Sequence, residues 1–491
     1  MKKFNTIILL FISFIAMFGI QACQRTLPEE MTELILPRCL TPTTLSATIE
    51  NDFDVQFSWV ATKDVDSYNL VIATDAECTE VIRTVSVTEV PFGVTLEPGV
   101  YYYKVQATAE DRGNSGWTYC TKPVTVKAPL VTVDLSSAKT ANCYVISEEG
   151  KYKFKTTRGN TDTSVGDVNS AYIIWETSTL SAGNALAVNT VIEQVSLDEN
   201  GYVVFTTPSP MNEGNALIAV RDADGKILWS WHIWIVSDKI TDIALGNGVI
   251  LMDRNIGETS AAGTPRTSML YQWGRKDPFP GTCGDDNNVA VAGTLASHMA
   301  TTLAYQESMK VPTVLYGNLS TSSAGAQPYG FKDGDTDYWG TSATGKTEYD
   351  PCPAGYRVPY AYDGTAANDN NLSKTRFAAL SSLTFHNQTS GDHYKNTFDM
   401  TTADGSILRF GRSGHYLLNT NAKNSSECST SLKNDKNAFY FWTSNKSNKR
   451  QGSCVRVDEN GAAFWIKNSD SEAKYQAKNN AYAVRCEKIN D

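Results

Sequence analysis

Three aspartates alternate along one polar segment, where they could bind a hard cation. Asp333, Asp335 and Asp337 are each separated by a single residue, a spacing at which carboxylates can share a calcium ion. Tyr338 and Trp339 follow directly, and their rings could form a platform for a sugar ligand. The segment lacks the glutamate that closes an EF-hand loop, which favours a solvated acidic loop over a calcium site. Calcium is the one cofactor that this spacing suggests, and otherwise none is predicted.

A histidine in an apolar strand could act as a metal ligand or as a base. His232 lies in the run Ile-Leu-Trp-Ser-Trp-His-Ile-Trp-Ile at residues 227–235. No second His or Cys lies at ligand spacing from it, and the chain contains 5 His in all. A core histidine with satisfied hydrogen bonds is therefore favoured over a metal or catalytic role.

Aromatic and charged residues also occur together in Tyr-Gln-Trp-Gly-Arg-Lys-Asp-Pro-Phe-Pro at residues 271–280. In an enzyme, Arg275 and Asp277 could bind a substrate. The prolines and Gly274 favour instead a buried bend, in which Arg275 pairs with Asp277 or with a carbonyl group. No catalytic residue is predicted from this motif.

The elements that must position these residues follow an export signal. Residues 1–22 carry two lysines, then an apolar run too short for a membrane span, and end in Ile-Gln-Ala before Cys23. This ending resembles the lipobox of bacterial lipoproteins, whose cysteine is acylated; the alternative is an ordinary signal peptide followed by an incidental cysteine. The resemblance implies that Cys23 anchors the chain in the lipid bilayer of the outer membrane, with residues 23–35 as a tether and the rest exposed at the cell surface.

Composition limits the partners and the cysteine chemistry. The formal net charge is −10, and without a basic block the chain has nothing that would neutralise nucleic-acid phosphates. Of the 10 Cys, those beyond Cys23 are odd in number, so at least one stays unpaired in an exported protein. A chain of 491 residues is too long for one hydrophobic core and suits about three domains.

Residues 36–127 contain short apolar-alternating segments separated by Asp, Gly and Pro turns, which predict a β-sandwich. From Tyr101 to Ala107 the apolar residues recur at every second position, with Lys104 and Gln106 on the opposite face, as in a half-buried strand. The Leu-Glu-Pro-Gly turn before them, with Trp59 on an earlier strand, resembles the fibronectin type III pattern. Core packing is favoured for Trp59 over ligand stacking. The resemblance implies a tyrosine corner at Tyr101 or Tyr102.

Residues 129–238 are predicted to form a second β-sandwich module after a proline-bearing linker. Its expected strands include residues 143–146, 151–154 and 227–235. The last of these has one wholly apolar face, which indicates burial on at least one side.

From about residue 240 the composition shifts toward Asn, Gly, Ser and Asp, and four dense motifs follow in order. They begin at Met252, Tyr271, Asp350 and Ala483, and the most specific is Asp-Pro-Cys-Pro-Ala-Gly-Tyr-Arg-Val-Pro at residues 350–359. Their order over residues 240–491 resembles the Fibrobacter succinogenes major paralogous domain of exported proteins of Bacteroidetes and Fibrobacteres. Gly-Tyr-Arg-Val-Pro, a later Tyr-Phe-Trp-Thr and the closing Val-Arg-Cys are similar to landmarks of the C-type-lectin-like fold.

These resemblances imply a mainly β multidomain chain, in which two β-sandwich modules precede an α+β lectin-like head. Relatives enter a helix directly after Arg-Val-Pro, but here residues 360–371 are rich in Gly, Asp and Asn. The helix is therefore expected at about residues 372–380. The segments at residues 141–144 and 229–234 also look like the module that precedes this domain in fimbrillin-like lipoproteins of gut Bacteroidetes.

The lectin-like resemblance implies a disulfide between Cys352 and Cys486, because the first helix of that fold packs beside its final strand. Cys428 and Cys454 could form a second bridge across the loop region. The formylglycine-generating branch of the fold contains oxidases that need two closely placed thiols. Cys454 and Cys486 are too far apart in sequence to match that motif, so the chain is predicted not to be an enzyme.

These observations together favour a surface lipoprotein of fimbrial or adhesin-like type. Its head is expected to bind a protein or glycan ligand through variable loops between residues 283 and 348, because binding folds diversify by loop insertions on a rigid frame. The alternative is a surface glycan-binding lipoprotein of a polysaccharide-uptake system, and an oxidase is the third hypothesis.

Overall fold

A computed structural model shows the chain as two compact units, Met1–Leu130 and Val131–Asp491. No helix among the described residues is long and apolar enough to cross a membrane. The structure describes residues 37–178, 187–260, 268–281, 291–293, 297–300, 305–317, 336–363, 370–382, 384–387, 397–402, 404–411, 414–418, 430–433, 438–448, 451–458, 461–465, 478 and 480–490.

The first unit is a β-sandwich of two antiparallel sheets. One sheet has the strand order β1-β2-β5, and the other has the order β4-β3-β6-β7 with β8 also paired to β6. The strands are β1 (Thr43–Asn51), β2 (Asp54–Val60), β3 (Ser67–Ala73), β4 (Val81–Val87), β5 (Phe92–Thr95), β6 (Gly99–Thr108), β7 (Thr118–Tyr119) and β8 (Val124–Val126).

The core of this sandwich follows the predicted alternation. Tyr101 and Tyr103 on β6 are buried, and Tyr102 between them is only partly covered. Trp59 is 5% exposed and packs edge-on against Tyr68, with ring centroids 5.3 Å apart. The Tyr101 hydroxyl donates a hydrogen bond to the carbonyl of Glu97 at 2.8 Å, so Tyr101 forms the tyrosine corner. These features confirm the core position of Trp59 and a fibronectin type III-like sandwich.

The second unit opens with two sheets from residues 131–238. One has the order β13-β14-β11-β9, and the other has the order β10-β16-β15-β12, in which β10 and β16 are parallel and a strand from residues 291–293 joins the edge at β12. The strands are β9 (Thr132–Asp134), β10 (Cys143–Ile146), β11 (Lys151–Phe154), β12 (Ser170–Ser178), β13 (Gln194–Leu197), β14 (Val203–Thr206), β15 (Gly214–Arg221) and β16 (Ile227–Ile235).

The remaining strands build several smaller sheets around the largest one, which contains β19, β20 and β28 to β33. The helical elements are α1 (Tyr305–Ser308) and the 3-10 segments Leu372–Lys374 and Ala378–Ser382. The strands are β17 (Asp242–Ala244), β18 (Ile250–Met252), β19 (Met269–Gln272), β20 (Phe279–Pro280), β21 (Val291–Gly293), β22 (Ser297–Ala300), β23 (Val314–Gly317), β24 (Tyr356–Arg357), β25 (Thr384–Asn387), β26 (Thr397–Thr401), β27 (Ile407–Gly411), β28 (His415–Leu418), β29 (Thr430–Lys433), β30 (Ala438–Asn448), β31 (Gln451–Asp458), β32 (Gly461–Trp465), β33 (Ala481–Ala483) and β34 (Glu487–Lys488).

Side chains from residues 131–238 and from residues 240–491 share one core. Trp175 on β12 and Trp234 on β16 lie in the same buried cluster as Trp442 and Cys486. Strand β21 also extends the sheet of β12, with Trp175 opposite Gly293. Strand β16 is consequently covered on both faces, and the boundary predicted near residue 239 does not separate two compact units.

The helix expected at residues 372–380 is replaced by two 3-10 segments. Thr375 between them is extended, with φ −99° and ψ 166°. Its hydroxyl donates to the carbonyl of Leu372 at 2.7 Å and accepts from the amide of Phe377 at 3.1 Å. Because this side chain takes over backbone partners that a helix would use, the helix does not propagate. The described part of the predicted α+β head is thus almost entirely β, within a mainly β multidomain chain.

Candidate functional site

The predicted disulfide between Cys352 and Cys486 is confirmed. The two Cα atoms are 6.0 Å apart, and both cysteines are fully buried. Just beyond the bond, β24 pairs with β34, with Tyr356 opposite Lys488. The Asp-Pro-Cys-Pro motif and the closing Val-Arg-Cys motif therefore meet at this point, as the lectin-like resemblance implied.

The second predicted disulfide is wrong. Cys454 is a free thiol, fully buried on β31, and burial raises its pKa. In the strand register its backbone lies opposite position 442 on β30 and position 465 on β32. Cys428 lies outside the described residues, as do Cys23 and part of the predicted binding loops between residues 283 and 348.

The sugar platform predicted at Tyr338 and Trp339 is contradicted by burial. Trp339 is 0% and Tyr338 is 7% exposed, so neither ring offers a face to a ligand. The Trp339 indole donates to the carbonyl of Arg275 at 3.0 Å and packs against Trp273. Both aromatic residues are parts of the core, which the alternation of acidic and aromatic residues did not reveal.

Of the three aspartates proposed for calcium, only Asp337 lies among the described residues. Its carboxylate is 3.1 Å from the ammonium group of Lys446, which supplies a partner without a metal ion. Asp333 and Asp335 lie outside the described residues. In the part of the chain that the structure describes, no cluster of three or more His, Cys, Asp or Glu could hold a metal ion.

His232 sits in a sealed polar cluster with a cysteine and a tyrosine. Its Nδ1 is 3.4 Å from Cys143 Sγ and 3.4 Å from the Tyr271 hydroxyl, and its Nε2 is 2.9 Å from Asn215 Oδ1. Burial lowers the pKa of His232 to about 3 and raises the pKa of Cys143. The imidazole therefore stays neutral and the thiol stays protonated, which is the opposite of an activated Cys–His pair.

This cluster confirms the prediction that His232 is a core histidine, but the sequence did not reveal its cysteine neighbour. Cys143 lies opposite His232 because β10 and β16 pair in parallel, across 89 residues of sequence. A parallel register between distant strands has no local sequence signal, since it is set by the crossover between them.

The thiols of the chain are expected to differ sharply in reactivity. Iodoacetamide at neutral pH should label half-buried Cys120 in the native protein, whereas Cys143 and Cys454 should react only after denaturation because both are buried. Peptide mass spectrometry after timed labelling measures each site. Fast native labelling of Cys143 would contradict the sealed cluster and restore a reactive Cys–His pair as a hypothesis.

The motif at residues 271–280 forms a buried ionic cluster, as predicted for a structural bend. Asp277 accepts from Ser230 Oγ at 2.6 Å and pairs with the ammonium group of Lys276. Arg275 is 3.6 Å from Asp277 and donates to several carbonyls, including that of Val314. All these charged groups are at most 2% exposed, so the cluster has no access for a substrate.

A cavity of about 450 Å³ opens elsewhere on the second unit and is lined by Lys139, Lys155 and Lys346. We call it the lysine-lined cavity. The remaining lining consists mostly of small or hydroxyl-bearing residues, and Asp162 is the carboxylate among them. A volume of this order falls within the range of roughly 300–1,000 Å³ typical of ligand pockets.

Hydrogen bonds between distant segments hold the walls of the cavity in place. The Asn160 side chain donates to the carbonyl of Thr347 at 2.7 Å, across 187 residues of sequence. The Thr140 hydroxyl donates to the carbonyl of Thr161 at 2.7 Å. The Cys352–Cys486 disulfide lies just before the wall residues Ala354 and Gly355 and restrains them, so the cavity is preorganised.

Lys346 is the most constrained of the cavity lysines. Its ammonium group donates to the carbonyls of Cys352 at 2.6 Å and Pro353 at 2.8 Å, and lies 3.9 Å from the Asp350 carboxylate. About 10% of its side-chain surface is exposed. Burial lowers the pKa of Lys346 to about 8, and the positive charge of Lys139 adds to this effect.

The ammonium groups of Lys139 and Lys155 differ from that of Lys346 because they are not held by bonded partners. Within the described residues neither ammonium group forms a hydrogen bond or an ion pair, and Lys139 is exposed at the rim. No sequence pattern marks these three lysines, because they come from separate segments and only Lys346 is close to a recognised motif.

Comparisons with known proteins find matches among solved structures alone. No protein-family model matches the chain, and no curated protein matches it significantly. Solved structures that it is similar to include fibronectin type III domains. The structure named FN3tt mut is 19% identical, with 18% of this chain and 97% of that chain covered and a TM-score of 0.16.

Two further solved structures are similar to the chain at comparably low identity and TM-score. The sixth fibronectin type III domain of human fibronectin type III domain containing protein 3 is 19% identical, covers 19% of this chain and 88% of its own, and has a TM-score of 0.15. The FN1–FN3 domains of chicken CNTN1 are 13% identical, cover 41% of this chain and 69% of their own, and have a TM-score of 0.18.

Proposed function

We propose that this chain is a lipid-anchored cell-surface protein of adhesin-like type, which binds a ligand and does not transform it. One contrast carries the proposal. The groups with reactive chemistry, His232 with Cys143 and Lys276 with Asp277, are sealed in the core, whereas a preorganised polar cavity opens to solvent. Fixed polar groups at a solvent-filled cavity suit recognition.

The hydroxyls that line the cavity support binding over catalysis. Ser136 Oγ donates to the Asp134 carboxylate at 2.7 Å, and the Thr140 hydroxyl donates to a backbone carbonyl. These hydroxyl protons are already committed to structural partners. A nucleophile would instead need a base poised to accept its proton beside the substrate.

The oxidase hypothesis finds no support in the arrangement of thiols. Cys486 is bonded to Cys352, and Cys454 is free but buried at 0% exposure. A thiol oxidase of the kind considered from the sequence would need two neighbouring reactive thiols. A glycan-binding lipoprotein of a polysaccharide-uptake system is the second candidate, because the mixture of hydroxyls and lysines in the cavity also suits a sugar.

An adhesion assay with cells that display the protein tests the proposal. Bacterial cells that carry the full chain are expected to adhere to at least one surface in a panel of mucin, matrix protein and bacterial cells. Cells with Cys23→Ser should lose adhesion, because the chain is no longer acylated and is released. Cys120→Ser, which alters a thiol without affecting the anchor, is the matched control and should adhere normally.

Two results would count against adhesion. Full adhesion by Cys23→Ser cells would show that lipid anchoring is not what holds the protein at the surface. Absence of adhesion on every surface, together with a growth defect on one polysaccharide when the protein is removed, would favour the uptake function.

A further inference from the structure

We infer that the lysine-lined cavity binds a sugar that bears a carboxylate, such as a uronic acid within a glycan. This inference rests on the proposed binding function and names its site and the chemical class of its ligand. Lys139, Lys155 and Lys346 supply positive charge, and Asp162 opposes it in part. The concentration of cations stands out on a chain whose formal net charge is −10.

The charge pattern indicates an anionic ligand. The ammonium groups of Lys139 and Lys155 have no hydrogen-bond or ion-pair partner among the described residues, and Lys139 is close enough to Lys346 to oppose its protonation. A carboxylate placed among the three ammonium groups would relieve this repulsion and gain charge-assisted hydrogen bonds.

Lys346 is oriented to take part in that contact. An ammonium group has three N–H donors, and the carbonyls of Cys352 and Pro353 accept two of them. Asp350 at 3.9 Å is beyond hydrogen-bond length, so one donor remains for a ligand. The disulfide at Cys352 holds both carbonyls in place, which fixes the ammonium group before a ligand arrives.

The remaining lining suits the hydroxylated ring of a sugar. Ala138, Ala354 and Gly355 leave room beside the ammonium groups, and Ser137 and Asn160 offer polar groups. A volume of about 450 Å³ accommodates a small ligand. Within the lining there is no arginine, the side chain whose planar fork recognises phosphate in bidentate fashion, so a carboxylate is favoured over phosphate.

The charged groups around Lys346 determine how ligand affinity should change with pH. Asp350 favours its charged form, whereas Lys139 and Arg357 oppose it, and Cys143 stays neutral because its pKa is raised. Lys346 is fully charged below its pKa of about 8 and loses its charge above it. Affinity for an anion should therefore be greatest below pH 8 and fall as the pH rises.

Calorimetric titration of the Cys23→Ser chain, which is not acylated, tests the site with methyl glucuronide, methyl glucoside and inorganic phosphate as probes. We expect methyl glucuronide to bind about tenfold or more tightly than the neutral glucoside, because a charge-assisted hydrogen bond is at stake. Lys139→Gln and Lys155→Gln should each weaken binding several-fold, and Lys346→Gln about tenfold to a hundredfold. Lys63→Gln, an exposed lysine of the other unit, should leave binding unchanged.

Three results would each overturn the inference: the glucoside binds as tightly as the glucuronide, phosphate binds more tightly than the glucuronide, or Lys139→Gln and Lys155→Gln, here called the rim variants, both keep the parent's affinity. The rim variants matter because Lys346→Gln also removes hydrogen bonds that stabilise the fold. Adhesion assays separate the two proposals. If cells with Lys139→Gln/Lys155→Gln adhere normally, the adhesin function stands and the cavity is not its site. If the parent protein binds methyl glucuronide but does not support adhesion, the cavity stands as a binding site and the adhesin function is rejected.

Discussion

Replacing both members of the disulfide, as Cys352→Ala/Cys486→Ala, is expected to lower the free energy of unfolding of the second unit by about 4 to 5 kcal/mol. The bond joins residues 134 apart in sequence, and a cross-link of that length removes much of the entropy of the unfolded chain. Both sulfurs are fully buried, so the lost packing adds to the cost.

Denaturant unfolding, followed by hydrogen exchange in peptides from residues 131–490, measures this loss. A reductant should bring the parent protein down to the stability of the double variant and leave the variant itself unchanged. Cys120→Ser removes a free thiol from the first unit and should not alter the second. Equal unfolding midpoints for the parent and the double variant would mean that the bond does not stabilise the fold.

The disulfide also links the recognisable motifs to the candidate site. The carbonyl of Cys352 accepts from Lys346, and Asp350 accepts from the amides of Cys352 and Val358, both at 2.8 Å. The Asp-Pro-Cys-Pro motif therefore organises its own backbone and, through the same residues, orients a cavity lysine. Its role is architectural, and the architecture includes the wall of the lysine-lined cavity.

Local patterns in the sequence predicted local structure well. The alternation around Tyr101 predicted a half-buried strand, and the apolar run at residues 227–235 predicted a strand with the bounds that β16 has. Both rest on side-chain periodicity, which is a property of the strand itself. The order of motifs predicted the pairing of Cys352 with Cys486 because the whole fold places those motifs side by side.

Contacts between distant segments were the part that could not be predicted. The lysine-lined cavity brings Lys155 and Lys346 together across 191 residues, and neither position is marked by its neighbours in sequence. The burial of Trp339 and the shared core around Trp234 likewise depend on packing between segments that each look independent. Periodicity reports which face of an element is apolar, but not what covers it.

The second large effect is expected from Asp277→Asn, which should destabilise the second unit by about 3 to 5 kcal/mol. The substitution keeps the shape of the side chain but removes the anion that Arg275 and Lys276 share. Both cations are at most 2% exposed, so they would be left buried and uncompensated. Asp224→Asn, in an exposed turn, makes the same chemical change and should stay within about 0.5 kcal/mol of the parent.

The stability loss caused by Asp277→Asn should become smaller as the pH rises, because Lys276 can give up its proton. Burial already lowers the pKa of Lys276, and Asp277 holds it up. In Asp277→Asn the pKa of Lys276 falls further. Between this lowered pKa and the ordinary lysine pKa, the unfolded chain binds more protons than the folded one, so stability increases with pH in that window. Denaturation at a series of pH values measures the trend.

A double-mutant cycle with Lys276→Met separates the ion pair from the rest of the cluster. If the cost of Asp277→Asn comes from an uncompensated ammonium group, it should be smaller in the Lys276→Met background by a coupling energy of about 1 to 3 kcal/mol. If the stability losses of Asp277→Asn and Lys276→Met simply add, the cost of Asp277→Asn comes from the hydrogen bond donated by Ser230 and not from charge. Arg275 remains buried in both backgrounds, so a residual cost is expected even when Lys276 is absent.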